Sequence, residues 1–293
     1  MQEQEFIVAG YSNNEIDELD LAEPPPSPND PPWNSWTAIG VWLASIFFIF
    51  VIPVIFVTFY LLGKHVDFSD REALTTLLKS DETAIVLQLL SVIPAHLLTL
   101  ALAWVVVTKF RTYPFREMLG WEWGSFRIWH AIILFLLFWG FALLMISIFG
   151  KVENDFEKML ASSRAAVYLV AFFATFTAPI VEEVVYRGLL YSAFQKRFGM
   201  ILGIIAVTIL FTLVHVPQYS MNNVPDYATI STLLMLSLAL TLVRAKTGNL
   251  YPCIVLHTLV NGIQSFFLIL EPYLPKSLTD TPDPTSTILH LFR

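Results

Sequence analysis

Residues 165–187 read AAVYLVAFFATFTAPIVEEVVYR, so an uncharged apolar run leads directly into three ionisable side chains, Glu182, Glu183 and Arg187. On membrane-insertion scales, one charged side chain at the centre of a helix costs roughly 2.5–3.5 kcal/mol. If all three faced lipid, the cost would be on the order of 8–10 kcal/mol, comparable to the stability of a whole domain. These side chains must therefore face a protein interior or a water-filled cavity.

The spacing of the three charges assigns them different roles. Glu183 and Arg187 are four residues apart, so on a helix they share one face and can form an ion pair. Glu182 lies about 100° around the same helix and is not used by that pair. We interpret Glu183 and Arg187 as a scaffold and Glu182 as the working carboxylate. The alternative is a purely structural charge cluster that clamps helices together.

The composition is that of an integral membrane protein. Of 293 residues, 56% are hydrophobic and only 14% are charged, whereas soluble domains have about 25% charged residues. The net charge of −7 gives no support to nucleic-acid binding. The single cysteine, Cys253, excludes an internal disulfide and a cysteine-rich metal site, and we expect it to serve in packing.

The apolar segments predict an all-α fold, a polytopic bundle of transmembrane helices. Each segment is long enough to approach or span a bilayer. Pro179 can either kink the fourth segment or divide it, so the sequence predicts seven or eight membrane helices. The predicted segments are residues 36–62, 83–108, 128–150, 165–181 with its continuation, 200–216, 227–243 and 250–270.

The segments outside the bundle complete four predicted regions. Residues 1–35 hold eight acidic residues, six prolines and no lysine or arginine, and they predict a disordered or extended tail that is retained. Residues 36–159 are predicted to form the N-terminal transmembrane helices, and residues 160–270 the transmembrane helices that carry the polar side chains. Residues 271–293 are predicted to be irregular. Within the second apolar segment, His96 is interpreted as a hydrogen-bonded histidine of the bundle rather than a ligand.

Two further apolar segments end in or contain polar signatures of their own. Phe211 and His215 are four residues apart, as are His257 and Asn261, so each pair lies on one helix face. A helical bundle can bring Glu182, His215, His257 and Asn261 to one cavity. The joint pattern favours a catalytic site, although a single histidine in such a segment is more often structural.

This set of side chains is sufficient for hydrolysis. A buried carboxylate such as Glu182 can take a proton from water, and His215 can orient that water. His257 and Asn261 can donate hydrogen bonds to a developing oxyanion. Alternatively, Glu182, His215 and His257 could hold Zn²⁺ with an open water position, because two histidines and one carboxylate form a known zinc-ligand set. The spacing alone leaves both mechanisms open.

At these residues the chain resembles the CPBP family, also called ABI or CaaX-protease-like proteins. These are intramembrane proteases related to the eukaryotic CaaX prenyl endopeptidase. The family motifs EExxxR, FxxxH and HxxxN occur here in order, as Glu182–Arg187, Phe211–His215 and His257–Asn261. The resemblance covers about residues 160–270 and implies that these residues form the catalytic transmembrane core.

The resemblance implies an all-helical bundle whose active site lies in a cavity reached from one face of the membrane. By position, Glu182 is the general base, His215 assists it, and His257 with Asn261 forms the oxyanion site. Glu183 and Arg187 support the site. We favour a mechanism without metal, because no partners that would orient both histidines as metal ligands are identifiable from the sequence.

The expected substrate is a membrane-associated or lipidated protein or peptide, and a prenyl group is not assumed. Membrane lipids are the other expected partners. We expect a bacterial cytoplasmic membrane as the location. Two other functions stay open: a non-catalytic immunity or adaptor protein that retains the fold, and a transporter that uses the charged cluster as an ion site. The absence of repeat symmetry in the sequence argues against the transporter.

Overall fold

The computed structural model describes residues 25–150, 155–221 and 224–274. In these ranges six helices are long and apolar enough to cross a membrane: Ser35–Gly63, Glu82–Thr108, Ile128–Phe149, Arg164–Phe198, Tyr227–Thr247 and Tyr251–Tyr273. A seventh apolar helix, Met200–His215, is shorter. The prediction of a polytopic transmembrane helical bundle is therefore confirmed. The described residues contain no eighth membrane helix, because the fourth segment continues past Pro179 as one helix.

The helices are numbered here in chain order. Their bounds are α1 Ser35–Gly63, α2 Arg71–Ser80, α3 Glu82–Leu90, α4 Val92–Thr108, α5 Phe115–Leu119, α6 Ile128–Phe149, α7 Asp155–Ser162, α8 Arg164–Phe172, α9 Ala178–Glu183, α10 Tyr191–Phe198, α11 Met200–His215, α12 Tyr227–Thr247 and α13 Tyr251–Leu270. A 3₁₀ turn, Glu271–Tyr273, follows α13.

The fourth membrane helix, Arg164–Phe198, changes its winding twice. Two π-helical segments, Phe173–Thr177 and Val184–Leu190, separate α8, α9 and α10. Pro179 lies just after the first segment and has no N–H to donate to the carbonyl one turn earlier, so the helix widens instead of breaking. Such widened turns leave backbone carbonyls open to partners from other helices. This is why Pro179 kinks the winding without dividing the helix.

Helix α11 is too short to cross a bilayer by itself. Its 16 residues span about 24 Å, against a hydrocarbon core about 30 Å thick. It ends at His215, and the chain then runs into a loop that contains a small antiparallel pairing of β1, Ser220–Met221, with β2, Val224–Pro225. The loop was predicted, whereas this pairing was not.

The segment before α1 packs against the bundle instead of extending away from it. We call residues 25–34 the N-terminal strap. Trp33 is buried, and its Nε1 donates to the carbonyl of Leu189 in the second π segment, 3.1 Å away. Lys196 Nζ lies 2.7 Å from Asp30 Oδ1. The prediction of a disordered or extended tail therefore does not hold for residues 25–34, because their polar groups find partners on α10 and α12.

Arg244 donates hydrogen bonds to two residues of the strap. Its side chain is fully buried on α12. Nη1 donates to Asn29 Oδ1 at 2.9 Å, and Nη2 donates to the Pro28 carbonyl at 2.7 Å and to Ser192 Oγ at 2.9 Å. A buried guanidinium needs such acceptors, since an uncompensated charge in the interior is costly. Residues 1–24 and 275–293 of the two predicted tails lie outside the described residues, and the boundary at residue 160 stays a prediction.

Candidate active site

The three motifs meet at one internal cavity of about 410 Å³. Glu182 from α9, His215 from α11, and His257 and Asn261 from α13 all line it. Its volume lies within the range of small-ligand sites, about 300–1,000 Å³. The structure thus brings together the four residues that the sequence selected. Their catalytic roles stay proposals.

Beneath the cavity, Glu183 and Arg187 form a buried ion pair. Both side chains are fully buried, and Arg187 Nη1 donates to Glu183 Oε1 at 2.8 Å. Arg187 also donates to Ser237 Oγ at 2.8 Å and to Thr241 Oγ1 at 3.2 Å on α12. The pair therefore joins the fourth membrane helix to α12. Since all these partners are internal, the pair holds the wall of the cavity.

Glu183 has a second partner that sequence reasoning missed. His257 Nδ1 lies 2.8 Å from Glu183 Oε1. Because an ionised carboxylate only accepts hydrogen bonds, Nδ1 carries the proton. The ring is thereby fixed with its Nε2 atom 3.8 Å from Glu182 Oε2. The single carboxylate of Glu183 thus orients both Arg187 and His257.

The two adjacent glutamates differ in their access to water. Glu183 is fully buried, whereas about a quarter of the Glu182 side chain, 25%, is exposed, and Glu182 lines the cavity. A general base must reach the water that it deprotonates. Of the two glutamates, only Glu182 meets this condition, and its role as general base stays a prediction.

Phe211, four residues before His215, contacts both cavity histidines. Its backbone carbonyl lies 2.7 Å from His215 Nδ1, so Nδ1 is the protonated nitrogen and Nε2 is left as an acceptor in the neutral ring. Its ring packs at 4.7 Å from the His215 ring, 6.2 Å from His257 and 4.8 Å from the Arg187 guanidinium. Phe211 therefore orients one histidine and packs against the group that holds the other.

Asn261 is bound by the first π segment. Its Nδ2 donates to the carbonyl of Ala174 at 2.9 Å, which fixes the orientation of the amide. An amide nitrogen carries two N–H groups, so the second stays available for a ligand in the cavity. The contact could not be read from the sequence, because it depends on the widened turn beside Pro179.

The zinc alternative was tested against this geometry. Both histidines have the kind of Nδ1 partner that metal-ligating histidines use, namely Glu183 for His257 and the Phe211 carbonyl for His215. The sequence alone had not identified these partners. However, within the described ranges no three His, Cys, Asp or Glu side chains are arranged to hold a metal ion. The two histidines are thus oriented as metal ligands would be, but together with Glu182 they do not form a group that could hold one ion, and we derive no step through a metal.

The cavity wall also carries polar residues that sequence reasoning had not selected as site residues. His96 on α4, Tyr219 in the loop after α11, and Gln264 on α13 line it. Burial raises the pKa of the Tyr219 phenol to about 12, and the nearby negative charge of Glu182 adds to this effect. Tyr219 therefore stays a hydrogen-bond donor at neutral pH. Helical spacing was the available signal, since Gln264 follows Asn261 by three residues.

A comparison with protein families agrees with the motifs. Residues 164–263 match the family model described as Type II CAAX prenyl endopeptidase Rce1-like. No curated protein and no solved structure matches the chain. The matched range contains all four cavity residues named by the sequence analysis as well as the Glu183–Arg187 pair. Over residues 164–263, about a third of its length, the chain is therefore similar to the Rce1-like family of type II CAAX prenyl endopeptidases.

Proposed function

We propose that the protein hydrolyses a peptide bond of a membrane-associated or lipidated protein substrate, with Glu182 as the general base and without a metal. The observation that carries this proposal is the contrast between the two glutamates. Glu182 reaches the cavity and lies 3.8 Å from His257 Nε2, while Glu183 is withdrawn into the scaffold.

In the first step, a water molecule in the cavity attacks the carbonyl carbon of the substrate. Glu182 takes one proton from that water as the new carbon–oxygen bond forms. His215 accepts a hydrogen bond from the same water through Nε2, because its Nδ1 donates to the Phe211 carbonyl. The product of this step is a tetrahedral intermediate that bears a negatively charged oxygen.

Two groups are placed to stabilise that oxyanion. Asn261 can donate its second amide N–H, since its first is bound to Ala174. His257 can donate from Nε2 only as the doubly protonated ring, because its Nδ1–H is bound to Glu183. Fixed donors of this kind act strongly in a water-poor site, because they need no reorganisation during the reaction.

In the second step, Glu182 returns its proton to the nitrogen of the leaving group as the carbon–nitrogen bond breaks. The products are a carboxylic acid and an amine, and the Glu182 carboxylate is restored. Removal of a general base typically lowers the rate by about 10²- to 10⁴-fold. We therefore expect Glu182→Gln to lose hydrolysis while its fold persists, since the scaffold pair is untouched.

The test compares new protein termini in membranes of the host, which we expect to be a bacterium. Wild type, Glu182→Gln and the control Glu122→Gln, which changes an exposed glutamate outside the cavity, are expressed at equal level. Termini present with wild type and the control but missing in Glu182→Gln support the proposal. Identical termini in all three would favour a non-catalytic immunity or adaptor role.

The same membranes separate the two protease mechanisms. Treatment with a zinc chelator should leave the Glu182-dependent termini unchanged if the chemistry requires no metal. Their loss on chelation, with recovery on adding Zn²⁺, would replace the metal-free mechanism by the zinc alternative. Termini that carry a prenylated cysteine would identify the lipid class of the substrate, which the family description associates with CAAX proteins.

A further inference from the structure

Some polar side chains around the cavity already have hydrogen-bond partners, whereas others have polar atoms that are not used. Among the described residues, Thr229, Thr232 and Ser265 use their hydroxyl groups in hydrogen bonds to neighbouring atoms. The Gln264 side chain makes no hydrogen bond within the same ranges, and His96 uses only its Nδ1 atom, 3.0 Å from Thr177 Oγ1. The Gln264 amide and His96 Nε2 are thus available to a molecule in the cavity.

Two antiparallel helices, α13 and the fourth membrane helix, lie side by side along the cavity. His257 contacts Glu183, Asn261 contacts Ala174, and further along α13 Ser265 contacts Ala171 at 3.3 Å. Residues that lie successively later on α13 therefore meet successively earlier residues of the fourth helix. All of the cavity positions on α13 share the face that starts at His257, so they form one continuous wall.

The distance along this wall corresponds to a short peptide. Gln264 follows His257 by seven residues, which is about 10 Å along a helix. An extended peptide covers about 3.3 Å per residue, so the same distance holds about three residues. A substrate whose cleaved bond lies at His257 therefore passes Gln264 about three residues away.

His96, on α4, lies between these two points along the fourth membrane helix. It contacts Thr177, which lies between Ala174, the partner of Asn261, and Glu182. Thr177 Oγ1 also donates to the Phe173 carbonyl at 3.4 Å. The threonine oxygen then accepts from His96 Nδ1–H, which leaves Nε2 as an acceptor for an N–H group in the cavity.

A peptide in this cavity needs such partners. Between its polar residues the wall carries apolar side chains such as Leu89, Val92, Phe138 and Leu268, which cannot bind peptide groups. A peptide N–H or C=O group that is removed from water without a partner costs several kcal/mol. The Gln264 amide both donates and accepts, so it matches one peptide unit, and His96 supplies a further acceptor.

We propose that Gln264 and His96 bind the main chain of an extended peptide substrate, and that Gln264 contacts it about three residues from the cleaved bond. This inference rests on the proposed proteolytic function and adds the form of the substrate. It predicts that recognition depends on the length of the peptide on one side of the cleaved bond and not on a particular side chain at the Gln264 position.

The test uses fluorescence-quenched peptides that carry an S-farnesyl cysteine followed by one to five residues, and a second series that is extended on the other side. Values of kcat/KM are measured for wild type, Gln264→Leu and the control Gln88→Leu. Gln88 is a glutamine on α3 whose Nε2 donates to Leu78 and Ala84 carbonyls and which does not line the cavity. Binding of each peptide to Glu182→Gln is measured in parallel.

In only one of the two series, Gln264→Leu should lower kcat/KM about fivefold to tenfold, mainly through KM, for peptides with three or more residues on the lengthened side of the cleaved bond. Shorter peptides and the Gln88→Leu control should be unaffected. An equal loss at every length, or no loss at any length, would overturn the inference while wild-type cleavage still supported the proposed function. If wild type cleaves none of the peptides and Glu182→Gln binds none of them, the proposed function fails together with the inference.

Two variants of His96 test its part separately. The amide of glutamine reaches the position of Nε2, whereas that of asparagine reaches only the position of Nδ1. His96→Gln should therefore retain more of the wild-type kcat/KM than His96→Asn, although His96→Asn can keep the bond to Thr177. If the order is reversed, or both variants behave as wild type, His96 does not contact the peptide.

Discussion

The sharpest stability prediction concerns the substitution Arg187→Met. The methionine fills a similar space but removes the charge that faces Glu183, whose side chain is fully buried. It also removes the donors to Ser237 and Thr241. Removal of one partner from a buried ion pair typically costs about 3–5 kcal/mol, because the other charge stays behind without compensation. We expect a loss of this size in the free energy of unfolding.

A double variant separates the stranded charge from the lost packing. Glu183→Gln with Arg187→Met removes both charges and keeps a side-chain oxygen as acceptor for His257 Nδ1. The double variant should therefore be more stable than Arg187→Met alone, even though it carries one more substitution. This order of stabilities is specific to a stranded carboxylate.

Reversible unfolding in mixed detergent micelles with increasing denaturing detergent measures these free energies. Arg197→Met is the control, since Arg197 is exposed at the end of α10, and surface substitutions usually change stability by about 0.5 kcal/mol or less. The reasoning is refuted if Arg187→Met stays within about 1 kcal/mol of wild type, far below the range for a broken buried pair. A double variant less stable than the single one would refute it equally.

Two further predictions concern charges outside the cavity. Asn29→Ala should lower the free energy of unfolding by about 1–3 kcal/mol, because Arg244 Nη1 loses its acceptor. Asn29→Asp should raise it, because an exposed carboxylate would then face the buried Arg244 cation. Thermal unfolding of both variants should show these opposite signs. The hydrogen bond from Lys64 lowers the pKa of Asp81 to about 2, so its contribution is complete above the ordinary pKa of 3.8 and disappears as the pH falls through about 2. Unfolding of Asp81→Asn should therefore depend less on pH between about 4 and 2 than that of wild type, and equal slopes would contradict the assignment.

The sequence was sufficient for the helical bundle and for the convergence of Glu182, His215, His257 and Asn261. Apolar runs of membrane length have few alternatives to a helix. Polar residues inside such runs must contact one another or water, because exposing them to lipid costs free energy. Their convergence can therefore be predicted without knowing the detailed geometry. The pairing of Glu183 with Arg187 follows in the same way from a spacing of four residues on one helix.

Contacts that depend on irregular backbone could not be read in this way. The bond from Asn261 to Ala174 exists because the fourth membrane helix widens before Pro179, and the sequence shows only that the proline must perturb the helix. The bond between His257 and Glu183 depends on how two helices are rotated against each other. Trp33 and Asn29 lie in a proline-rich segment whose composition predicts disorder, although their partners are on distant parts of the chain.

The short length of α11 bears on how the reaction is supplied with its second substrate, water. Each turnover of the proposed hydrolysis would consume one water molecule, and the interior of a bilayer holds almost none. Helix α11 is about 6 Å shorter than the hydrocarbon core is thick, and its last residue, His215, is followed by the loop that contains β1 and β2. Water can then enter along the loop to the histidine that is proposed to orient it. If water takes this route, we expect that lengthening α11 by one turn would restrict its entry and slow the proposed hydrolysis.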